Sequence, residues 1–286
     1  MKGCVRVMQK DCFTYSFKGT GLERKQIITV IANEFIEDVE YQGAPTFAYR
    51  TTSGWTIDRD SVITSPELLL DYKDNLRKVL TALKTAGATA EGDGTVTLSL
   101  DGYNGNTLRN AINLIWCKQS LLKKSFDRRS DIVPESLVSA INAVPIETLE
   151  EFAEVVNNGI DQGTIVGDSN MDFDLADQTV SFSFMNATLE FEALAFITFC
   201  QKLSEQAKQQ KFSSTKQKEA VNGKYAMRCF LLKLGFIGGQ YAKERKCLLD
   251  RLDGNAAFRT IEAQQAAEAK RRAKSSNAPV EGSENA

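Results

Sequence analysis

The amino-acid sequence predicts an α+β fold, because strand and helix patterns alternate along it in an irregular order. Residues 94–102 and 178–186 alternate apolar with polar side chains, which is the period of a strand with one buried face. Helical periodicity dominates from residue 187 onward. The order of strand, helix, short strands, helix, strand, helix and late strand excludes a regular doubly wound sheet.

The first third of the chain contains a predicted strand over residues 12–19 and an amphipathic helix over residues 21–35, with Thr20 as its candidate N-cap. Two short strands are expected around a turn at residues 52–54. The next helix is predicted over residues 68–87. It is indicated by four apolar side chains on one helical stripe: Leu76, Val79, Leu80 and Leu83.

Helices are the main predicted elements of the rest of the chain. One long helix is expected over residues 107–126, with Asn106 as its N-cap. The other predicted helices cover residues 134–144, 146–159, 187–210 and 224–258. Between the second and third of these, residues 167–175 are expected to form a loop.

Composition indicates a globular protein that can bury a substantial core, as one large domain or two. The chain has 286 residues, of which 42% are hydrophobic. No run approaches the roughly 20 apolar residues that span a bilayer, and the first residues lack the apolar stretch of a signal peptide. We therefore expect a cytoplasmic protein that has no membrane partner.

The chain contains no histidine, which removes the commonest acid–base group near neutral pH and the commonest neutral metal ligand. Any chemistry must come from carboxylates, cysteines, lysines or hydroxyls. The cysteines occur singly in apolar stretches, without a CxxC pair, so buried reduced thiols are predicted. They are Cys4, Cys12, Cys117, Cys200, Cys229 and Cys247.

Charge is distributed unevenly along the chain. Residues 1–201 hold 18 Lys and Arg against 28 Asp and Glu, whereas residues 202–274 hold 17 against 7. We divide the chain into an acidic α+β core over 1–201, a basic helical part over 202–260 that packs on it, and a charged helix with a disordered tail over 261–286. The basic part is either a phosphate or nucleic-acid surface or a set of solvated helix faces.

Several stretches together resemble a known family. They are TGLERKQIITVIANEF, SGWTIDRDSV, LTALKTAGATA, LRNAINLIWCKQSLLKKSF, NATLEFEALAFITFCQKLSEQA, KYAMRCFLLKLGFIG and LLDRLDGNAAFR. In this order the chain is similar to the amidoligases, ATP-dependent carboxylate–amine ligases related to glutamine synthetase, from about Phe13 to Arg259. The resemblance implies an antiparallel sheet of the glutamine-synthetase type flanked by helices, with carboxylates on the strands that hold Mg-ATP.

The resemblance fails at the positions that carry the family's chemistry. Ser16 and Lys18 stand where the family's first strand has two glutamates. The family has another glutamate before a Ser-Pro pair, and here Val62 and the residues after it precede that pair. Two histidines of the central strand and a Glu and an Arg of the late strand become hydroxyls. The family positions that are vestigial here are Ser16, Lys18, Val62, Thr97, Ser99, Ser181 and Ser183. No catalytic residue, metal or cofactor is therefore expected.

Five aspartates near the family's site segments offer an alternative. A rebuilt metal site would make the protein a divergent amide-forming ligase that uses Mg-ATP. Otherwise these side chains occupy turns and a loop. They are Asp58, Asp60, Asp101, Asp172 and Asp174. Cys117 and Cys200 lack a histidine partner and are predicted to be core residues rather than nucleophiles.

The expected function is that of a pseudoenzyme of phage or mobile-element type that binds a protein or ribonucleoprotein. Genes of this family type, as the resemblance implies, are frequent in such elements. Inhibition of a host defence nuclease, for example a CRISPR effector, is one expected use, in which the acidic part mimics DNA.

A third hypothesis is a nucleic-acid-binding protein that uses residues 202–274. Its candidate contacts are Lys270, Arg271, Arg272 and Lys274. The aromatic residues of this part fit an RNA surface or the buried face of a helix hairpin equally. They are Tyr225, Phe230, Phe236 and Tyr241.

Overall fold

A computed structural model describes residues 11–16, 22–68, 72–186 and 191–276, and these ranges form an eight-stranded antiparallel sheet and ten α-helices. This architecture confirms the predicted α+β class. None of the helices in the described ranges could span a bilayer, since none combines enough length with enough apolarity. The tail that is predicted to be disordered from Ser275 begins within the last helix, which ends at Ser276, and its residues 277–286 lie outside the described residues, as does the candidate cap Thr20.

The sheet is built from strands that are far apart in the chain. Its order is β2-β3-β4-β5-β1-β6-β8-β7, so the first strand lies in the middle, between β5 and β6. Every neighbouring pair is antiparallel. The strands are β1 (Cys12–Ser16), β2 (Val39–Tyr41), β3 (Tyr49–Thr51), β4 (Thr56–Ile57), β5 (Val62–Thr64), β6 (Glu91–Ser99), β7 (Met171–Asp174) and β8 (Thr179–Asn186).

The helices largely follow the predicted periodicity, and the stripe Leu76, Val79, Leu80 and Leu83 is buried. A short 3₁₀ turn at Gly239–Tyr241 precedes the ninth helix. The helices are α1 (Arg24–Phe35), α2 (Tyr72–Thr85), α3 (Gly105–Trp116), α4 (Gln119–Ser125), α5 (Glu135–Ala143), α6 (Leu149–Asp161), α7 (Phe191–Gln209), α8 (Gly223–Lys233), α9 (Ala242–Leu249) and α10 (Ile261–Ser276).

The two faces of the sheet differ in chemistry. On β6 and β8 the apolar side chains Val96, Leu98, Val180 and Phe182 are buried, and helix α7 contacts both strands. The side chains between them carry hydroxyls and are half-buried. The alternation read from the sequence is therefore the division between the helix-covered face and the opposite face.

Aromatic rings join the sheet to the helices. Phe184 of β8 lies edge-to-face with Phe196 of α7, with 5.0 Å between ring centroids, and with Phe126 after α4 at 5.6 Å. Phe199 completes the group at 5.7 Å from Phe126. Rings in this geometry interact favourably in addition to burying apolar area.

The prediction of one long helix over residues 107–126 is wrong in one respect, because the chain forms two helices there, α3 and α4. The backbone of Lys118 has a ψ of 6°, so the chain changes direction between α3 and α4. The buried side chain of Gln119 accepts backbone N–H groups of Ile132 and Val133 at 2.9 and 2.8 Å. A tertiary contact thus holds α4 in its own direction.

The predicted N-cap of this region is also wrong. Asn104, not Asn106, caps α3: its side chain accepts the backbone N–H of Thr107 at 2.9 Å, and the Thr107 hydroxyl accepts the Asn104 N–H at 2.8 Å. Asn106 instead donates its side-chain amide to the carbonyl of Lys211 at 3.0 Å. The reciprocal capping box satisfies more of the free N–H groups of the helix start than a single cap would.

Two further expectations need correction. The predicted loop at residues 167–175 contains strand β7, since Met171 is buried and the ring of Phe173 packs on Phe152 of α6 at 4.9 Å. Cys229 is exposed rather than buried. The predicted boundary at residue 201 lies within α7, and the division of the chain into three parts stays a prediction.

Candidate functional site

The predicted vestigial positions of β6 and β8 lie on the sheet face opposite the one that α7 covers. We call this the hydroxyl face and define it by Thr14, Thr95, Thr97, Ser99, Thr179, Ser181 and Ser183. Register places Thr97 opposite Ser181, with Cys12 on one side and Asp172 on the other. Directly opposed residues of antiparallel strands point to the same side, so these four side chains form one row across the sheet.

The hydroxyls of this face are partners of one another. The oxygens of Thr97 and Ser181 are 2.9 Å apart, and those of Thr95 and Ser183 are 3.0 Å apart. The hydroxyl of Ser99 accepts the backbone N–H of Asp101 at 3.0 Å. Part of the hydrogen-bonding capacity of this face is therefore used within the sheet.

Two of the remaining vestigial positions, Ser16 and Val62, lie on the neighbouring strands β1 and β5. Ser16 of β1 is directly opposite Val62 of β5. Lys18 lies outside the described residues. The structure thus places Ser16 beside Val62 and Thr97 beside Ser181, in two groups on neighbouring parts of one sheet.

Three thiols, those of Cys12, Cys117 and Cys200, lack the properties of a nucleophile. Burial raises the pKa of Cys12 to about 11, and the hydrogen bond with Thr97 opposes this rise. Burial also raises the pKa of Cys200 and of Cys117. Each is therefore a protonated thiol near neutral pH, which is a weak nucleophile.

Two of the five candidate aspartates stabilise turns. One carboxylate oxygen of Asp58 accepts the backbone N–H of Asp60 at 2.8 Å and of Val62 at 2.9 Å. Asp174 similarly accepts the N–H groups of Ala176 at 2.8 Å and Asp177 at 3.0 Å. These are the local hydrogen bonds that aspartate commonly makes in turns.

The five aspartates do not meet at one point. Asp58 and Asp60 lie in the β4–β5 turn, whereas Asp172 and Asp174 lie on β7, which is four strand spacings from β5 and five from β4 in the sheet order. At about 4.8 Å per spacing this is roughly 19–24 Å, far beyond the reach of one metal ion. Within the described ranges, no group of three or more Asp, Glu or Cys side chains could hold a metal. Asp101 begins the turn after β6.

A second feature, which the sequence reasoning did not isolate, is an acidic surface beside the hydroxyl face. Residues 130–201 contain 13 Asp and Glu and no Lys or Arg. Contact between Phe152 and Phe173 joins α6 to β7, the outermost strand of the sheet. The exposed carboxylates of residues 147–177, here called the acidic edge, are Glu147, Glu150, Glu151, Glu154, Asp161, Asp168, Asp172, Asp174 and Asp177.

The carboxylates of the acidic edge have no cationic partner among the described residues. Backbone hydrogen bonds from Glu147 and Thr148 lower the pKa of Glu151, whereas burial raises the pKa of Asp172. The nine exposed carboxylates therefore give this edge a negative charge.

The candidate nucleic-acid contacts Lys270, Arg271, Arg272 and Lys274 all lie in α10, and Lys270 is exposed. Of the aromatic residues in the basic part, Phe230 and Phe236 are buried, which supports the core interpretation for both. Tyr225 and Tyr241 are half-buried.

Comparison with known proteins adds no identity. No family model matches the chain, and no curated protein is significantly similar to it. The resemblance to amidoligases therefore stays a prediction from the motifs.

Proposed function

We propose that the protein is a catalytically inactive, amidoligase-like pseudoenzyme of phage or mobile-element type that acts by binding a protein or ribonucleoprotein. The proposal includes a sheet of the glutamine-synthetase type. The observation that carries it is the pairing of Thr97 with Ser181 and of Thr95 with Ser183.

Neutral hydroxyl pairs are poorly suited to the family's reaction. Magnesium takes hard oxygen ligands in near-octahedral geometry, and its protein ligands are usually carboxylates. A serine hydroxyl does not supply the negative charge of a carboxylate. Once it is hydrogen-bonded across the sheet, it also cannot turn freely toward a metal ion. Loss of the arginine whose position Ser183 occupies also removes a bidentate partner for phosphate. Each substitution acts against Mg-ATP while keeping the strand in place.

The acidic edge supports a partner with a positively charged surface. Phosphate groups of nucleic acid present closely spaced negative charges to their binding channels, and exposed carboxylates can present a similar potential. We propose that the acidic edge occupies the nucleic-acid channel of an RNA-guided defence nuclease. Complementary potentials of this kind accelerate association and select the partner.

Calorimetry tests the loss of ligase activity. Titration with ATP is expected to give no binding heat that depends on Mg²⁺, because the charged ligands have been replaced by paired hydroxyls. The matched variant Thr97→Val with Ser181→Ala should leave partner binding unchanged, since removal of both members of a hydrogen-bonded pair is nearly neutral. Magnesium-dependent ATP binding that disappears in Asp101→Ala would instead establish the divergent ligase.

A cleavage assay with reconstituted RNA-guided nucleases tests the partner. The protein is expected to inhibit target cleavage at near-stoichiometric ratio, and excess duplex DNA should relieve the inhibition. A variant with Glu150→Gln, Glu154→Gln, Asp161→Asn and Asp172→Asn should inhibit at least about tenfold more weakly, since it loses four charges of the acidic edge.

The control for this assay removes four exposed carboxylates elsewhere, by Glu34→Gln, Asp38→Asn, Glu40→Gln and Glu67→Gln. It should inhibit like the unmodified protein. Equal weakening in both variants would mean that only net charge matters, and no inhibition across a panel of such nucleases would exclude this partner class.

A further inference from the structure

A cavity of about 420 Å³ is lined mainly by residues of the basic part, and none of its lining residues belongs to the acidic edge. Its walls come from the α3–α4 junction, the chain before α8, the start of α8 and the segment before α10. We call it the basic pocket and define it by Lys118, Lys218, Asn222, Tyr225, Cys229 and Arg259. Its volume is in the range of pockets that hold small organic ligands.

Positive charge dominates the basic pocket. It has three cationic side chains, Lys118, Lys218 and Arg259, against the single carboxylate of Glu219. Within the described residues, none of the three cations forms an ion pair. Burial raises the pKa of the adjacent Cys117, and the positive charges of Lys118 and Lys233 act against that rise.

Asn222 holds the walls of the basic pocket together. Its side-chain amide donates to the carbonyls of Asn255 at 2.8 Å and Phe258 at 2.6 Å, and its oxygen accepts the backbone N–H of Tyr225 at 3.1 Å. The segment that carries Arg259 is thereby fixed against the start of α8. Lys118, Lys218, Arg259 and Tyr225 all line this one cavity.

We propose that the basic pocket binds a nucleotide unit, with its phosphate near Lys118, Lys218 and Arg259 and its base against Tyr225. Arginine and lysine form charge-assisted hydrogen bonds with phosphate oxygens, and an aromatic ring offers a stacking surface to any base. The unit is a free mononucleotide or one residue of a single strand. In the second case the strand continues toward α10, which begins two residues after Arg259.

This inference goes beyond the proposed function, because it concerns different residues and a ligand of opposite charge from the acidic edge. It also narrows the expectation that the basic part contacts phosphate. Lys118 belongs to the α3–α4 junction, outside residues 202–274, and joins the site only through the fold.

Alkylation of Cys229 provides the test, since this exposed thiol lines the basic pocket. The full chain is treated with iodoacetamide, a neutral reagent, and the peptide that contains Cys229 is followed by mass spectrometry. The probes are AMP and a short oligo(dT) strand, each over a range of concentration and salt. Bound ligand is expected to slow alkylation, and its affinity should fall as salt rises.

Paired variants locate the effect. Lys218→Gln with Arg259→Gln should weaken protection about tenfold or more, because each cation contributes a charge-assisted hydrogen bond. The matched control, Lys243→Gln with Lys246→Gln, removes two exposed charges from α9 and should protect like the unmodified protein.

Protection by both probes supports a nucleotide pocket, and protection by the strand alone supports a strand-binding site. Absence of protection by either probe overturns the proposal, as does equal protection in the Lys218 and Arg259 variant. Nuclease inhibition through the acidic edge is measured independently, so failure here leaves that proposal untouched.

Discussion

Replacement of Phe184 by alanine is expected to lower the free energy of unfolding by about 3–5 kcal/mol. The ring is fully buried and contacts Phe126, Phe196 and Phe199 edge-to-face. Its removal leaves a cavity between β8 and α7 that rigid neighbouring rings cannot fill, and it also removes the favourable ring geometry. Because Phe184 connects the sheet to the helices, the loss should affect the whole cooperative unit.

Urea unfolding followed by far-ultraviolet circular dichroism measures this effect. The matched control is Phe212→Ala. The same chemical change is made there at the surface, because Phe212 is 71% exposed. The control should alter the free energy of unfolding by less than about 0.5 kcal/mol. Similar small losses in both variants would show that the aromatic group is not part of the stabilising core.

Replacement of Lys73 by methionine is expected to lower the free energy of unfolding by about 3 kcal/mol. The Lys73 ammonium is 2.8 Å from a carboxylate oxygen of Glu244, whose side chain is only 4% exposed. The other carboxylate oxygen of Glu244 is buried and has no hydrogen-bond partner among the residues that the structure describes. Methionine keeps most of the apolar stem of lysine, so the variant chiefly leaves a buried negative charge without compensation.

Two companions separate this effect from simple loss of contact. The double variant Lys73→Met with Glu244→Gln should recover most of the stability, because the buried charge is also removed. Arg77→Met breaks an exposed ion pair with Asp74 on the same helix and should cost less than about 0.5 kcal/mol. A double variant no more stable than Lys73→Met would show that packing, rather than charge, sets the loss.

Periodicity predicted the strands that have one buried face. The strand expected over residues 178–186 is observed at Thr179–Asn186, because Val180, Phe182 and Phe184 must all face the helices. A shift of the strand register by one residue would place these three side chains on the hydroxyl face. Long alternation of this kind is therefore sufficient to define a strand before its partners are known.

Elements fixed by distant contacts could not be predicted in this way. The four residues of β7 contain too few alternations to be distinguished from a loop, and Phe173 finds its partner Phe152 on another element. The break between α3 and α4 is held by Gln119 through the backbone of Ile132 and Val133. Neither contact has a local signal.

The candidate sites show the same division. Sequence alternation placed Thr97 and Ser181 on polar strand faces, but their hydrogen bond depends on the register between β6 and β8. The basic pocket combines Lys118 with side chains about 100 residues later, which no sequence spacing indicates.

The central place of β1 in the sheet has a consequence for synthesis on the ribosome. Its partners on β5 follow about 50 residues later in the chain, and those on β6 about 85 residues later. The β1 segment is made well before β5 and β6, so its backbone N–H and C=O groups cannot pair within the sheet until both neighbours have been made. During that interval the nascent chain depends on solvent or a chaperone to keep this segment from pairing with other strands.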